Sequence, residues 1–197
     1  MNDIDLFIKY IHRQIDLSDE ELSEFTDAFL YKRIKKKQFI IQPDFPTKYR
    51  TYVLKGALRS YVIDHDGVDH TIQFALEDWW VSDLNSYIYQ KPATMFVVAI
   101  EDSEVLQIDY ETEQRLKRSN HKFESFFRIT AERTAAFHQR RIISSLTRTA
   151  EERYNDFLER YPEVSQRLPQ YVIASYLGMT TEFLSKIRNR KVRKKLK

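Results

Sequence analysis

The feature that most constrains this chain is a change of hydrophobic period along its length. Between about Tyr31 and Tyr110, β-branched and aromatic residues come in short runs: Phe39 to Ile41, Tyr49 to Leu54, Leu58 to Ile63, Thr71 to Ala75, Met95 to Ile100 and Val105 to Ile108. Runs of that length and spacing predict strands closing into a sandwich, roll or small barrel. Asp66-Gly67 between two of them marks a hairpin, because glycine tolerates the positive φ of a tight turn. On either side the period is helical. Ile4, Phe7, Ile8, Ile11 and Ile15 open the chain at helical spacing, and Ser18 with Glu21 spells a capping box for a second helix. From Lys122 to Leu146 no proline or glycine interrupts the pattern, which predicts one long helix.

That helix carries two stripes, Phe123, Phe127, Thr130, Thr134 and Phe137 beside Phe126, Ile129, Ala136 and Ile143. Together they are wider than contact with one sheet requires, so a second copy of the helix is expected to cover the excess and make a homodimer. An ordinary core helix in a monomer is the alternative. Thr149 is placed to cap a further helix through about Tyr161, ended by Pro162.

Composition removes several function classes. With no cysteine, disulfides, Cys-ligated zinc, iron–sulfur clusters and thiol catalysis are excluded. The three glycines, Gly56, Gly67 and Gly178, leave no P-loop or dinucleotide fingerprint, and nucleophile-elbow and zinc motifs are missing too, so no enzyme is expected. His65, His70, His121 and His138 do not share ligand spacing, and neither metal nor cofactor is expected. Nothing approaches the roughly 20 apolar residues of a membrane span, and the start Met1-Asn2-Asp3-Ile4-Asp5 is unlike a signal peptide, which predicts a cytoplasmic protein with no membrane partner. Charge is more telling. Lys186, Arg188, Arg190, Lys191, Arg193, Lys194, Lys195 and Lys197 put eight positive charges in the last twelve residues; taken from the net +3, they leave −5 on residues 1–185. A basic end on an acidic body suits a nucleic-acid reader.

Leu168 to Arg188 is the most informative segment. It reads as helix, tight turn, helix: Ile173, Ala174 and Leu177 form an inner face, Gly178 permits the left-handed turn, and Thr180 caps a second helix anchored by Phe183, Leu184 and Ile187. Thr181, Glu182, Ser185, Lys186 and Arg188 are then left pointing outward, where a helix in the major groove would meet DNA. An ordinary helical hairpin is the plainer reading.

With these segments in order, the chain resembles the Crp/Fnr family of transcription factors over essentially its whole length. Phe96-Val97-Val98-Ala99-Ile100-Glu101-Asp102-Ser103-Glu104-Val105-Leu106 is similar to the strand pair closing that family's β-roll, and Ile173 to Arg188 to its DNA-binding signature. The resemblance implies an α+β fold: a cyclic-nucleotide-binding-like β-roll sensor domain at 1–121, a long dimerisation helix at 122–147, and a helix-turn-helix domain with a basic tail at 148–197. The family's β-hairpin wing is expected to be incomplete, with the tail taking over some backbone contacts. The implied DNA-binding residues are Thr180, Thr181, Glu182, Ser185, Lys186, Arg188, Arg190 and Lys191. Glu182 and Lys186 would meet bases, and Arg188, Arg190 and Lys191 phosphates. The implied partners are double-stranded DNA, a second copy, an unidentified small-molecule effector and RNA polymerase.

The resemblance also implies where a cyclic nucleotide would sit. The family's phosphate-binding arginine falls on Ala93, its serine on Thr94, and its glutamate on Ser82 or Asp83, with Lys91 nearby. Without the guanidinium, a charge-assisted contact worth about 1.5–3 kcal/mol is gone, and the ring of Phe137 is expected to intrude where relatives hold the base. No cyclic-nucleotide response is therefore expected. Trp79 and Trp80 are expected to fill the roll. Two other readings stay open: a small-ligand sensor with a pocket rearranged around Ser82, Asp83, Lys91 and Thr94, and a protein-interaction module whose helix-turn-helix no longer reads bases.

Overall fold

The computed structural model describes residues 3–195, with side chains from residue 4 to residue 190. Helices α1 (Asp3–His12) and α2 (Asp19–Asp27) lead into strands β1 (Leu30–Ile34), β2 (Phe39–Ile41), β3 (Tyr49–Lys55), β4 (Leu58–Ile63), β5 (Asp69–Ala75) and β6 (Trp80–Val81). Helix α3 (Leu84–Tyr89), strands β7 (Phe96–Ala99) and β8 (Ser103–Asp109) and helices α4 (Tyr110–Ser119) and α5 (His121–Thr147) follow. The chain continues through α6 (Ala150–Arg160), α7 (Val164–Arg167), α8 (Gln170–Tyr176) and α9 (Thr181–Lys195). These elements form two compact units, one of the residues through Val62 with Gln73–Thr134, the other of Ile63–Ile72 with the described residues from Ala135 onward. The division falls inside α5, and the far end of the β4–β5 hairpin belongs to the second unit.

The first unit is a roll of two four-stranded sheets, ordered β1-β8-β3-β6 and β2-β7-β4-β5. Strand alternation sorts its side chains into two cores. Along β3 Tyr52 and Leu54 enter an aromatic cluster while Val53 points into an aliphatic one, and along β8 Leu106 and Ile108 take the first side while Val105 takes the second. The aliphatic cluster fills the roll with Ile41, Val53, Leu58, Val97 and Val105. The aromatic cluster joins Phe7 of α1, Phe25 of α2 and Phe123, Phe126 and Phe127 of α5 to the outer face of β3. Trp80 belongs to it, 5.3 Å from the Tyr52 ring, while Trp79 stacks on Phe74 at 5.4 Å. Trp79 thus packs against the cluster that fills the roll, as expected, whereas Trp80 faces the other way, into the aromatic cluster beneath the helices.

Two strands have no alternating pattern to betray them. β1 exposes Leu30 to Arg33 and buries only Ile34, because it is an edge strand held by β8; β6 is two residues long. Gly56, at φ +102° between β3 and β4, is required by a close approach, since a Cβ there would lie 2.7 Å from the Ser103 Cα. The capping box of α2 is present in full, with the Ser18 N–H donating to Glu21 at 2.8 Å. Thr149 and Glu152 repeat it at α6. In α5 the buried residues are Phe123, Phe126, Phe127 and Thr130, all in its first half, whereas Ile142, Ile143 and Leu146 are exposed. Among the described residues no helix is long and apolar enough to cross a membrane.

Candidate nucleic-acid interface

Helices α8 and α9 form the helix-turn-helix. Val172, Ile173 and Ala174 of α8 and Leu177 are buried, and α8 ends in a Schellman arrangement in which Met179 N–H donates to Ala174 O (3.0 Å) and Gly178 N–H to Ser175 O (3.1 Å). Gly178 takes φ +66°, the left-handed value that this arrangement needs. Thr180 then caps α9 through its hydroxyl, which accepts the Phe183 N–H at 3.2 Å. Leu184 and Ile187 are the buried anchors of α9. Phe183, expected to join them, is instead 43% exposed, because it lies one residue off the face they define.

On the opposite side Glu182, Lys186, Arg188 and Arg190 are exposed, and Thr180 with them, while Thr181 and Ser185 are half-buried. Its own backbone N–H, the Thr180 hydroxyl and Lys186 hold the Glu182 carboxyl below the usual carboxylate range, so it faces solvent as a pure acceptor. The Lys191 side chain lies outside the described residues, as does the whole of Lys197. One expectation needs correction. The basic segment is not a tail beyond the second helix of this unit, for α9 continues through Lys195. Lysine and arginine are good helix formers, no glycine or proline interrupts them, and positive charge suits a helix C-terminus. Among the described residues no strand follows α9.

Sequence reasoning missed what holds α8 in place. Ser175 accepts the Thr71 N–H at 2.8 Å and donates to Asp69 O at 2.9 Å, tying α8 to the end of the β4–β5 hairpin. Arg141 of α5 donates to Thr71 O (2.7 Å), Ile72 O (2.8 Å) and Tyr176 O (3.1 Å), with its guanidinium 4.6 Å from the Tyr176 ring centroid. One side chain thus fastens hairpin, long helix and α8 together. Nothing in the sequence distinguishes it from the neighbouring Arg140.

At the position expected to hold a ligand, Asp83 and Thr94 do come together. Asp83 is buried, and its carboxylate accepts the Ser86 N–H (3.0 Å), the Thr94 N–H (2.7 Å) and the Thr94 hydroxyl (3.1 Å). Ala93 is buried in the aliphatic core. Ser82 turns to Tyr49 O, and Lys91 is exposed, taking part only through its carbonyl, which accepts from the Ser86 hydroxyl. Phe137, expected to press on this position, lines a cavity of the second unit.

Comparison with known proteins agrees with this architecture. Residues 31–120 match the family model described as Cyclic nucleotide-binding domain. No curated protein sequence matches the chain. Among solved structures, FixK2 from Bradyrhizobium japonicum superposes with a TM-score of 0.71 at 20% identity, covering 84% of this chain and 85% of that one. The c-di-GMP responsive global regulator CLP of Xanthomonas campestris gives 0.74 at 12% identity, covering 91% and 94%. A Crp/Fnr-family transcriptional regulator from Eubacterium rectale gives 0.67 at 16%, covering 90% and 85%.

Proposed function

We propose that this chain, which matches the cyclic nucleotide-binding domain over residues 31–120 and has the fold of the Crp/Fnr regulators, is a sequence-specific, DNA-binding transcriptional regulator working as a homodimer in the cytoplasm. It acts without catalysis, and RNA polymerase is its further partner. The observation that carries this reading is the α8–turn–α9 unit, whose buried Leu184 and Ile187 leave Glu182, Lys186, Arg188 and Arg190 on the solvent side of one helix. Glu182 and Lys186 are four residues apart and share a helical face, so a carboxylate and an ammonium address neighbouring base edges, with cytosine N4 and guanine O6 or N7 as their complements. Arg188, Arg190 and the basic turns beyond them supply phosphate contacts.

Selection from random duplexes at stated salt is expected to enrich a palindrome. On that operator Lys186→Ala costs about 1–3 kcal/mol and relaxes one base pair per half-site. Truncation after Arg190 weakens operator and random DNA alike and flattens the salt dependence. No enrichment, or a truncation that erases sequence preference while Lys186→Ala keeps it, overturns the assignment. The self-satisfied Asp83–Thr94 pair and the buried Ala93 support a roll that does not respond to cyclic nucleotides. Any heat released on calorimetric titration with millimolar cyclic nucleotide is expected to be unchanged in Thr94→Ala, and heat that this substitution abolishes would give the roll a cyclic-nucleotide site.

A further inference from the structure

The second unit contains a cavity of ≈470 Å³ between the C-terminal half of α5, α6 and the end of α8. This is the size range of small-molecule sites. Its charge is lopsided: Arg140, Arg141, Arg148, Arg153 and Arg160 line it against one carboxylate, Asp156. Three of the five are engaged. Arg148 forms an ion pair with Asp156, Arg153 donates to Leu177 O (3.0 Å) and Arg148 O (2.7 Å), and Arg141 is held by the three carbonyls already described. Arg140 and Arg160 make neither hydrogen bond nor ion pair among the described residues.

The rest of the wall is aromatic and apolar. The Phe157 ring lies 5.7 Å from that of Tyr161 and 6.0 Å from that of Tyr176. Burial raises both tyrosines, Tyr176 to about 12, while Arg140 and Arg160 pull each of them the other way. Both hydroxyls are therefore neutral at physiological pH and close enough to feel both guanidiniums. Like charges gathered beside a partly apolar recess favour an anion, and the planar fork of arginine suits phosphate in particular.

We propose that this cavity is an effector site for a small organic phosphate, whose phosphate is taken by Arg140 and Arg160 and whose ring or apolar body lies against Phe137, Phe157 and Tyr176. Leu177 and Gly178, the turn of the helix-turn-helix itself, form part of the wall, so an occupant touches the segment that sets the start of α9. Calling the site an effector site rests on the DNA-binding reading above; binding as such does not.

The full-length protein is titrated calorimetrically with adenosine 5′-monophosphate, glucose 6-phosphate and phenyl phosphate, with adenosine as the uncharged control. At least one phosphate is expected to bind with submillimolar Kd, and Arg140→Gln/Arg160→Gln to weaken it tenfold or more at an unchanged melting temperature. Both arginines are exposed, so the double variant is expected to fold. Binding by none of the three, or binding that survives the double variant, overturns the proposal. So does a variant that loses duplex affinity while keeping phosphate binding, which would give these arginines to the DNA backbone. A variant that sediments as a monomer where the parent is a dimer overturns it too, because a second copy would then cover this face. Failure of the parent to enrich any duplex defeats the DNA-binding reading alone and leaves the calorimetry decisive for the cavity.

Discussion

Arg50 and Glu113 show how much a single residue can carry in the first unit. Both are buried, with Arg50 Nη1 3.5 Å from Glu113 Oε1, and Lys117 makes a second ion pair to the same carboxylate. Tyr87 donates its hydroxyl to Glu113 at 3.0 Å, and burial together with the Glu113 charge keeps that phenol protonated far above its ordinary range. The Arg50 guanidinium also lies 5.0 Å from the Trp80 ring centroid, so one cation is tied to both the roll and the aromatic core. Removing the carboxylate leaves a charge buried without its partner. Glu113→Ala is expected to lower stability by about 3–5 kcal/mol in denaturant unfolding. Arg13→Ala, which breaks the much more exposed Arg13–Asp78 pair, should cost at most about 1 kcal/mol. Equal losses in the two variants would show that burial is not what makes Glu113 matter. No periodicity announces this cluster, for its members are drawn together by the pairing of β3 with β8 and the turn into α4.

Among the elements, α2 is held by the residue that also caps it. Glu21 accepts the Ser18 N–H and reaches across to Asn120 Nδ2 (2.9 Å) and Lys122 Nζ (2.7 Å) at the α4–α5 junction. Lys122, then the Ser18 N–H, then Asn120 lower its carboxyl to about 2. A lowered folded-state value means that the ionised form stabilises the fold. That contribution is complete above the ordinary value of about 4.5 and is lost as pH falls through about 2. The stability gap between the parent and Glu21→Gln is therefore expected to be widest above pH 5 and to close toward pH 2. A gap independent of pH would remove Glu21 as its source. The serine-to-glutamate half of this arrangement was legible in the sequence, as were the Thr149 cap, the uninterrupted α5 and the turn at Gly178, because each depends on neighbours within a few residues. The long-range half was not, nor was the grip of Arg141 on Thr71, Ile72 and Tyr176. Strand β1 escaped because an edge strand exposed on most of its length carries no alternation. The basic end, expected as a tail beyond the helix, instead continues α9 through Lys195, because its residues are sound helix formers.

At the scale of the molecule, the question is what covers the second half of α5. Beyond Thr130 that helix buries little: Ala136, Ile142, Ile143 and Leu146 are exposed, Leu146 to 79%. Ile129, Ala136 and Ile143 are spaced by sevens, so they drift only about 20° per heptad around the helix and form a nearly straight seam. A seam of this kind is matched by its own copy across a two-fold axis, and that symmetry would also place two α9 helices for a palindromic operator. Sedimentation equilibrium at micromolar concentration is expected to give two chains per particle. Ala136→Lys brings two ammonium groups together at the seam at a residue that does not itself line the arginine-rich cavity, although Ile143 of the seam does. It is expected to give one chain per particle, a melting temperature that no longer rises with protein concentration, and binding limited to a single half-site. A parent protein that sediments as a clean monomer, or a variant that stays dimeric with its operator affinity intact, would mean that α5 is not where two copies meet.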